Sequence, residues 1–357
     1  TSLALQKFKK NTTGVLSFWF VIICGFIAVF AYSFAPDNSP NSNQMHLEIH
    51  SKKPGFEVLM LTIPSKVEGY QSLINKIIVG KINPQNEIPI SKFNISENTL
   101  TIFPYTANGI ESISKTYPLS SFKAKDISEY IKTKTFYLGT DKYGRDLLSR
   151  MLIGTRISFF IGFIAVFISL LIGISIGAIA GYFGGVTDEI LMRITDMFLA
   201  FPRLVLAMVL TAALGPNLTN TMIAIALVDW TIYARLGRAE AMKVKSQPYI
   251  EAIKAMGAND LRIIVFHVLP MSISPVIVQL TLRMGTIILT AAGLGFLGLG
   301  AQPPTPEGGA IVSDGRSYLV DQWWITTFPG IAIAIVVLGF NFLGDGIRDI
   351  LDPRLRR

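Results

Sequence analysis

The sequence predicts an all-α polytopic membrane protein with six transmembrane helices and a small β-rich extracytoplasmic insertion between the first and second of them. Three observations carry this expectation. Half of the 357 residues are hydrophobic and 16% are charged, giving a mean hydropathy of +0.47, far from the balance of a water-soluble domain. The apolar residues gather into runs of span length rather than into the alternating or 3.6-period stripes of a water-facing core. The basic residues flank those runs, as they do at the cytoplasmic ends of membrane helices.

The first run, Val15 to Ala35, follows Lys7, Lys9 and Lys10 and so copies the basic start and apolar middle of a signal peptide. It fills the ~20 residues that cross a bilayer and ends at Ala35-Pro36 without a convincing small-x-small cleavage pattern, which predicts a retained helix. Five further runs lie near Ile157 to Tyr182, Thr195 to Leu214, Thr219 to Tyr233, Met271 to Leu299 and Phe328 to Leu343. Phe201-Pro202 is expected to kink the third span. The glycines 162, 173, 177 and 181 in the second permit close helix packing. The single cysteine, Cys24, sits in the first run and leaves no disulfide framework, CxxC or zinc cluster.

Sidedness follows from the short loops, which report the positive-inside bias. With the N-terminus inside, Arg235, Arg238, Lys243, Lys245, Lys254 and Arg262 become cytoplasmic, as does the tail with Arg348, Arg354, Arg356 and Arg357. Both termini are then cytoplasmic. Segments 215–220 and 301–327 fall outside, the latter placing Trp323 and Trp324 where an interfacial aromatic belt is expected. A net charge of +8 raises nucleic acid as a partner, but its distribution around the spans argues against it.

Residues 36–135 are hydrophilic and contain alternating pieces, Met45 to His50 and Thr99 to Phe103, between Pro- and Asn-rich turns, which predict short strands. The organisation is therefore 1–35, the cytoplasmic N-terminus and first span; 36–135, the extracytoplasmic insertion; and 136–357, a five-helix core and tail. No repeat or low-complexity tract interrupts it.

Between the fourth and fifth spans, Tyr249 to Pro270 reads YIEAIKAMGANDLRIIVFHVLP. Pro248, Glu251 and Ala252 suit the first turn of a helix, and Gly257 can end it in the left-handed conformation. A second short segment then leads at an angle into the span near Pro270. This stretch resembles the Glu-Ala-Ala, three residues, Gly, then Leu-Pro coupling loop (about 245–269 here) of the permeases of ATP-binding-cassette (ABC) importers, with Ile253 where alanine is usual. The resemblance implies that Glu251, Ala252, Ile253, Gly257, Ala258, Leu269 and Pro270 form a knuckle for a groove in an ATPase subunit. Its bland alternative is an amphipathic interfacial helix.

Two further segments resemble the C-type permease branch of the oligopeptide, dipeptide and nickel importers. Gly139-Thr140-Asp141-Lys142-Tyr143-Gly144-Arg145-Asp146 looks like the Gly-Thr-Asp-x-x-Gly-Arg-Asp signature. It lacks the Gly-Lys-Ser/Thr ending of a phosphate loop, so its residues are expected to be structural, with Asp141 or Thr140 capping a helix and Asp146 and Arg150 on one face. The C-terminal stretch Asn341 to Arg354 resembles the branch's ending, with Asn341, Gly344, Asp345, Arg348, Asp349, Asp352 and Pro353 as signature positions. The segment from Gly293 to Gly300 is similar to a family stretch whose usual acidic residue falls at Ala291, and the usual tryptophan near Gly308 is missing.

The resemblance implies an ATP-driven permease subunit in the cytoplasmic (inner) membrane, moving peptides by alternating access. Its implied partners are a second, B-type permease, two ATP-binding subunits and an extracytoplasmic solute-binding protein. No Walker A sequence occurs, so no cofactor is expected here and ATP and magnesium would be bound by the partner ATPases. Nickel or another small solute is the alternative cargo. A stand-alone secondary transporter would use the span charges Asp196, Asp229 and Arg283, for which helix pairing is the competing reading. A membrane metalloenzyme finds no support: His46, His50 and His267 lack a zinc-protease pattern and read as ordinary surface residues, with no metal and no catalytic residue expected.

Overall fold

The computed structural model describes residues 11–64, 71–82, 86–106, 113–122 and 127–351. Lys7, Lys9 and Lys10, the signature residues Asp352 and Pro353, and Arg354, Arg356 and Arg357 lie outside them. The chain is mostly helical and divides into two compact units: 1–24, 158–302 and 333–357 in the first, 25–157 and 303–332 in the second.

Among the described residues four helices are long and apolar enough to cross a membrane: α1 (Thr12–Val29), α4 (Leu147–Phe183), α11 (Ile273–Phe296) and α13 (Trp324–Leu351). The expected third span is two helices, α5 (Gly185–Leu199) and α6 (Arg203–Leu214), bent by 89° at the break and counting as a fifth span if taken together. Pro202 precedes α6 and supplies no N–H to continue α5, so the kink is a full break. The expected fourth run lies in α7 (Leu218–Lys245), which carries Asp229, Arg235, Arg238 and Glu240 along its length and is not among the apolar helices.

In the first unit α4 and α7 meet along a stripe of glycines. A Cβ at Gly173, Gly177 or Gly181 would collide with the backbone oxygens of Trp230, Ala234 and Arg238 in turn. Three small residues four apart thus let two helix backbones touch, the close packing expected from their spacing. Gly285 of α11 likewise faces Asn341 of α13, and Gly344 sits against Leu282. Asp345, Arg348 and Asp349, on the last turns of α13, are exposed.

The second unit holds a five-stranded antiparallel sheet of order β4-β3-β2-β1-β5. Its strands are β1 (Phe56–Ile63), β2 (Asn86–Ser96), β3 (Thr99–Pro104), β4 (Lys115–Pro118) and β5 (Ile131–Phe136). β1 lies inside the sheet, between β2 and β5, and its run Val58-Leu59-Met60-Leu61 is apolar on both faces. Leu61 packs with Ile90, Leu100, Ile102 and Phe122, while Val58 and Met60 pack with Ile49 and Phe136 on the other side. The expected strand at Thr99 to Phe103 is β3. The one at Met45 to His50 is instead a 3-10 turn, Leu47–Ile49. α2 (Ala31–Phe34), α3 (Leu73–Val79) and α12 (Gly308–Gly315) complete this unit. Trp324 does not stand in an aromatic belt: it is buried with Leu147, Ile311 and Ile325, while Trp323 is exposed.

Candidate functional site

The knuckle after α7 is made of α8 (Pro248–Ala255), α9 (Asp260–Ile263), a π-helical turn (Ile264–Val268) and α10 (Leu269–Met271). Pro248 opens α8 and Glu251 lies in its first turn, both favourable at a positive helix end. Gly257 ends it with φ +88°, a conformation that disfavours any residue with a Cβ. Asn259 then caps α9, its side-chain oxygen accepting the Arg262 N–H at 2.8 Å. The π turn follows from Pro270: without a proline N–H the regular ladder cannot continue, and Leu269 donates five residues back to the Ile264 carbonyl.

The knuckle has two faces. Ile250, Ile263, Ile264 and Val268 are buried against Ala178, Tyr182, Ala241 and Val244, with Ile253, Ala258 and Leu269 packed alongside. Glu251, Ala252, Gly257 and Pro270 are exposed. So are the apolar side chains of Met256 and Leu261, at 78% and 69%. The seven positions taken from the resemblance therefore divide: Ile253, Ala258 and Leu269 brace the knuckle, and the other four lie on its open surface. Nothing lies within 4 Å of where a Gly257 Cβ would stand, so that surface admits a close approach.

One tie escaped sequence reasoning. The Tyr182 hydroxyl, near the end of α4, donates to Asp260 at 2.6 Å, and Lys254 lies 3.6 Å from the same carboxylate. The Tyr182 hydrogen bond, then Lys254, holds the Asp260 carboxyl below its ordinary range. Lys245 and Lys254 also lie over the Tyr182 ring. Eighty residues of separation leave no local signal for this contact.

The span charges are paired. Asp196 accepts from Arg235 at 2.7 Å, and Asp188 takes both arms of Arg238 at 2.6 Å, joining α5 to α7. Buried Asp229 faces Arg203 at 3.3 Å, just past the α5–α6 break, and Arg283 of α11 adds a second positive charge to that neighbourhood. Helix pairing accounts for Asp196 and Asp229, while Arg203 remains 40% exposed.

In the second unit the Gly-Thr-Asp-x-x-Gly-Arg-Asp segment is a closed clamp. Asp141 accepts the backbone N–H groups of Tyr143 and Arg145 and pairs with the Arg145 Nε at 2.6 Å, both side chains being 3% exposed. Arg145 also donates to Asn43, and Arg150 lies 3.6 Å from Asp141. Thr140 is not a helix cap: its hydroxyl donates to the Ile49 carbonyl and accepts from the Lys52 N–H. Nor is Asp141. Asp146 caps α4, accepting from the Ser149 N–H at 2.9 Å and from its hydroxyl, and it makes no ion pair with Arg150. Burial raises the Asp146 carboxyl above its usual range, against the Ser149 hydrogen bonds. At Gly139 (φ +80°) and Gly144 (φ +73°) a Cβ would strike the Lys52 and His46 carbonyls. His46 is buried, not a surface residue. Burial, then Lys134, holds its imidazole below the usual range.

Span-length apolar helices define a polytopic membrane protein, and its knuckle is packed on one face and open on the other. The chain belongs to the family described as "Binding-protein-dependent transport system inner membrane component", which matches residues 173–357. Residues 1–54 match the "N-terminal TM domain of oligopeptide transport permease C". The chain is 50% identical over 218 residues, 61% of its length and 73% of the relative's, to the "Probable D,D-dipeptide transport system permease protein DdpC" of Escherichia coli. It is 48% identical over 220 residues (62% and 72%) to the "Dipeptide transport system permease protein DppC" of Alkalihalophilus pseudofirmus. It is 46% identical over 220 residues (62% and 73%) to the "Glutathione transport system permease protein GsiD" of Pectobacterium atrosepticum.

Proposed function

We propose that this chain is the C-type permease of an ABC importer that carries short peptides across the cytoplasmic membrane. The observation that carries the reading is the knuckle at 248–270, which is rigidly backed by Tyr182, Ile250 and Ile263 yet exposes Ala252, Met256, Gly257 and Leu261. Such a surface suits the groove of an ATPase subunit, with small residues allowing close approach and apolar ones supplying the anchor.

In this reading six spans cross the membrane with both termini cytoplasmic, α5–α6 and α7 being two of them, and residues 36–135 stand outside. A B-type permease completes the pathway. Two ATP-binding subunits bind ATP and magnesium, and a solute-binding protein delivers the peptide. Closure and separation of the ATPases pull on the knuckles and switch the permease pair between outward-open and inward-open states. The sizes of the named relatives' solutes, from dipeptides to the tripeptide glutathione, favour short peptides over nickel.

Purification from native membranes in mild detergent, with mass spectrometry of the associated chains and an ATPase assay, tests the assembly. Two ATPases, a second permease and peptide-stimulated hydrolysis are the expected result. A lone, nucleotide-indifferent protein that still moves solute would replace this reading with a secondary transporter.

A further inference from the structure

Helix α3 (Leu73–Val79) is built upside down for a soluble domain. Its aliphatic residues Leu73, Ile74, Ile78 and Val79, and Ile82 just beyond, are all exposed, Leu73 by 75% and Ile74 by 67%. At 100° per residue Leu73, Ile77, Ile74 and Ile78 form one continuous apolar stripe, with Asn75, Val79 and Lys76 on the remaining face. The helix is held by its polar backbone. Arg156 donates to the Ile77 carbonyl at 2.7 Å, and Gln71 donates to the Gly80 carbonyl at 2.6 Å. The Lys81 N–H donates to the Asn38 carbonyl at 2.8 Å.

Those ties fix where the helix stands. Gly80, at φ +85°, lies so close to the Tyr32 ring and the Asn38 carbonyl that a Cβ would come within 2.8 Å of each. Tyr32 is in α2, the last turn at the end of the first span, and its ring is covered by Arg156. On that same stretch Phe26, Val29 and Phe34 are exposed. The apolar face of α3 therefore continues the lipid-facing surface of the first span at the level where the span leaves the hydrocarbon. Lys76 and Lys81 flank it, long enough to reach headgroup phosphates while the aliphatic stripe stays in the acyl chains.

We infer that α3 is an interfacial anchor that seats the insertion on the membrane leaflet at the Ala35 end of the first span, burying Leu73, Ile74, Ile78 and Ile82 among acyl chains. The inference rests on the membrane reading of α1 but not on the transported solute. It makes the insertion a membrane-resting element rather than one standing free in water.

The test uses the full chain in vesicles of phosphatidylethanolamine and phosphatidylglycerol. A Cys24→Ser background carries a single cysteine at Ile74→Cys, Ile78→Cys or Asn75→Cys, labelled with an environment-sensitive fluorophore. The expected result is blue-shifted emission at 74 and 78, lost to lipids spin-labelled near the top of the acyl chain but resistant to aqueous iodide, with the reverse at 75. Quenching of 74 and 78 by iodide alone would overturn the inference. Blue-shifted emission untouched by either quencher would also overturn it, in favour of a protein partner or a second copy. The natural Cys24, labelled in a separate sample, should be quenched by deep acyl spin labels in every case. Loss of that signal marks a failure of the span itself and not of α3.

Discussion

Two motifs of this chain, at 139–150 and 248–270, sit in loops next to membrane helices, and they are built in opposite ways. In the first, Asp141, Arg145, Asp146 and Arg150 are all buried, and their hydrogen bonds and ion pairs reach Asn43, Tyr143, Ser149 and each other. In the second, Ile250, Ile263, Ile264 and Val268 face inward and Glu251, Ala252, Met256 and Gly257 face out. The glycines make the same contrast: Gly144 sits under the His46 carbonyl, while Gly257 has nothing within 4 Å. A motif whose charged side chains are buried against one another and their neighbours holds the fold, whereas one that presents small and apolar residues over a packed base leaves a surface open to contact.

The largest effect that would break this contrast is at Arg145. Arg145→Ala leaves Asp141 buried without its closest cation and should cost about 3–5 kcal/mol, read as a lowered thermal unfolding midpoint of the purified chain. A near-native midpoint would mean that the clamp is dispensable. Gly144→Ala combines left-handed strain of about 1–2 kcal/mol with a backbone collision, so it should destabilise more than Gly257→Ala, which carries the strain alone. Equal midpoints would erase the distinction.

Smaller effects sharpen it. Tyr182→Phe removes the hydrogen bond to Asp260 and should appear as faster amide exchange across 254–264 with little change elsewhere. Smallest is a pH effect at His46. Its folded pKa lies below the 6.5 of the free side chain, so the unfolded chain takes up a proton first as pH falls. Stability is then full above about pH 6.5 and declines below it. His46→Gln should flatten that decline, measured as the unfolding midpoint against pH. An unchanged slope would show that His46 does not carry it.

Much of the knuckle was legible because its determinants are local. Pro248 starts the helix, Gly257 stops it, and the glycine stripe at 173, 177 and 181 announces a close helix contact by spacing, though not which helix makes it. The break at Pro202 was legible as a kink, though its angle depends on packing. The clamp was harder. Met45 to His50 alternates like a strand, but the Ile49 carbonyl is taken by the Thr140 hydroxyl and the His46 N–H by the Tyr143 carbonyl. Partners some ninety residues away override a local pattern. The capping role of Asp146 is local but fell to the wrong aspartate, since Asp141 is drawn off by Arg145 and by its own turn while Asp146 takes Ser149. Helix α3 left no clear periodic signal because its stripe is short and points away from the fold.

The central claim is that the open face of the knuckle receives the force of the ATPases. The most direct measurement is peptide uptake and ATP hydrolysis by the reconstituted complex carrying Gly257→Asp, which places a charge and a Cβ where only glycine leaves room. The account predicts loss of uptake, with the ATPases uncoupled or released, while the unfolding midpoint of the chain falls by no more than Gly257→Ala lowers it. A stably assembled variant with undiminished uptake would contradict it.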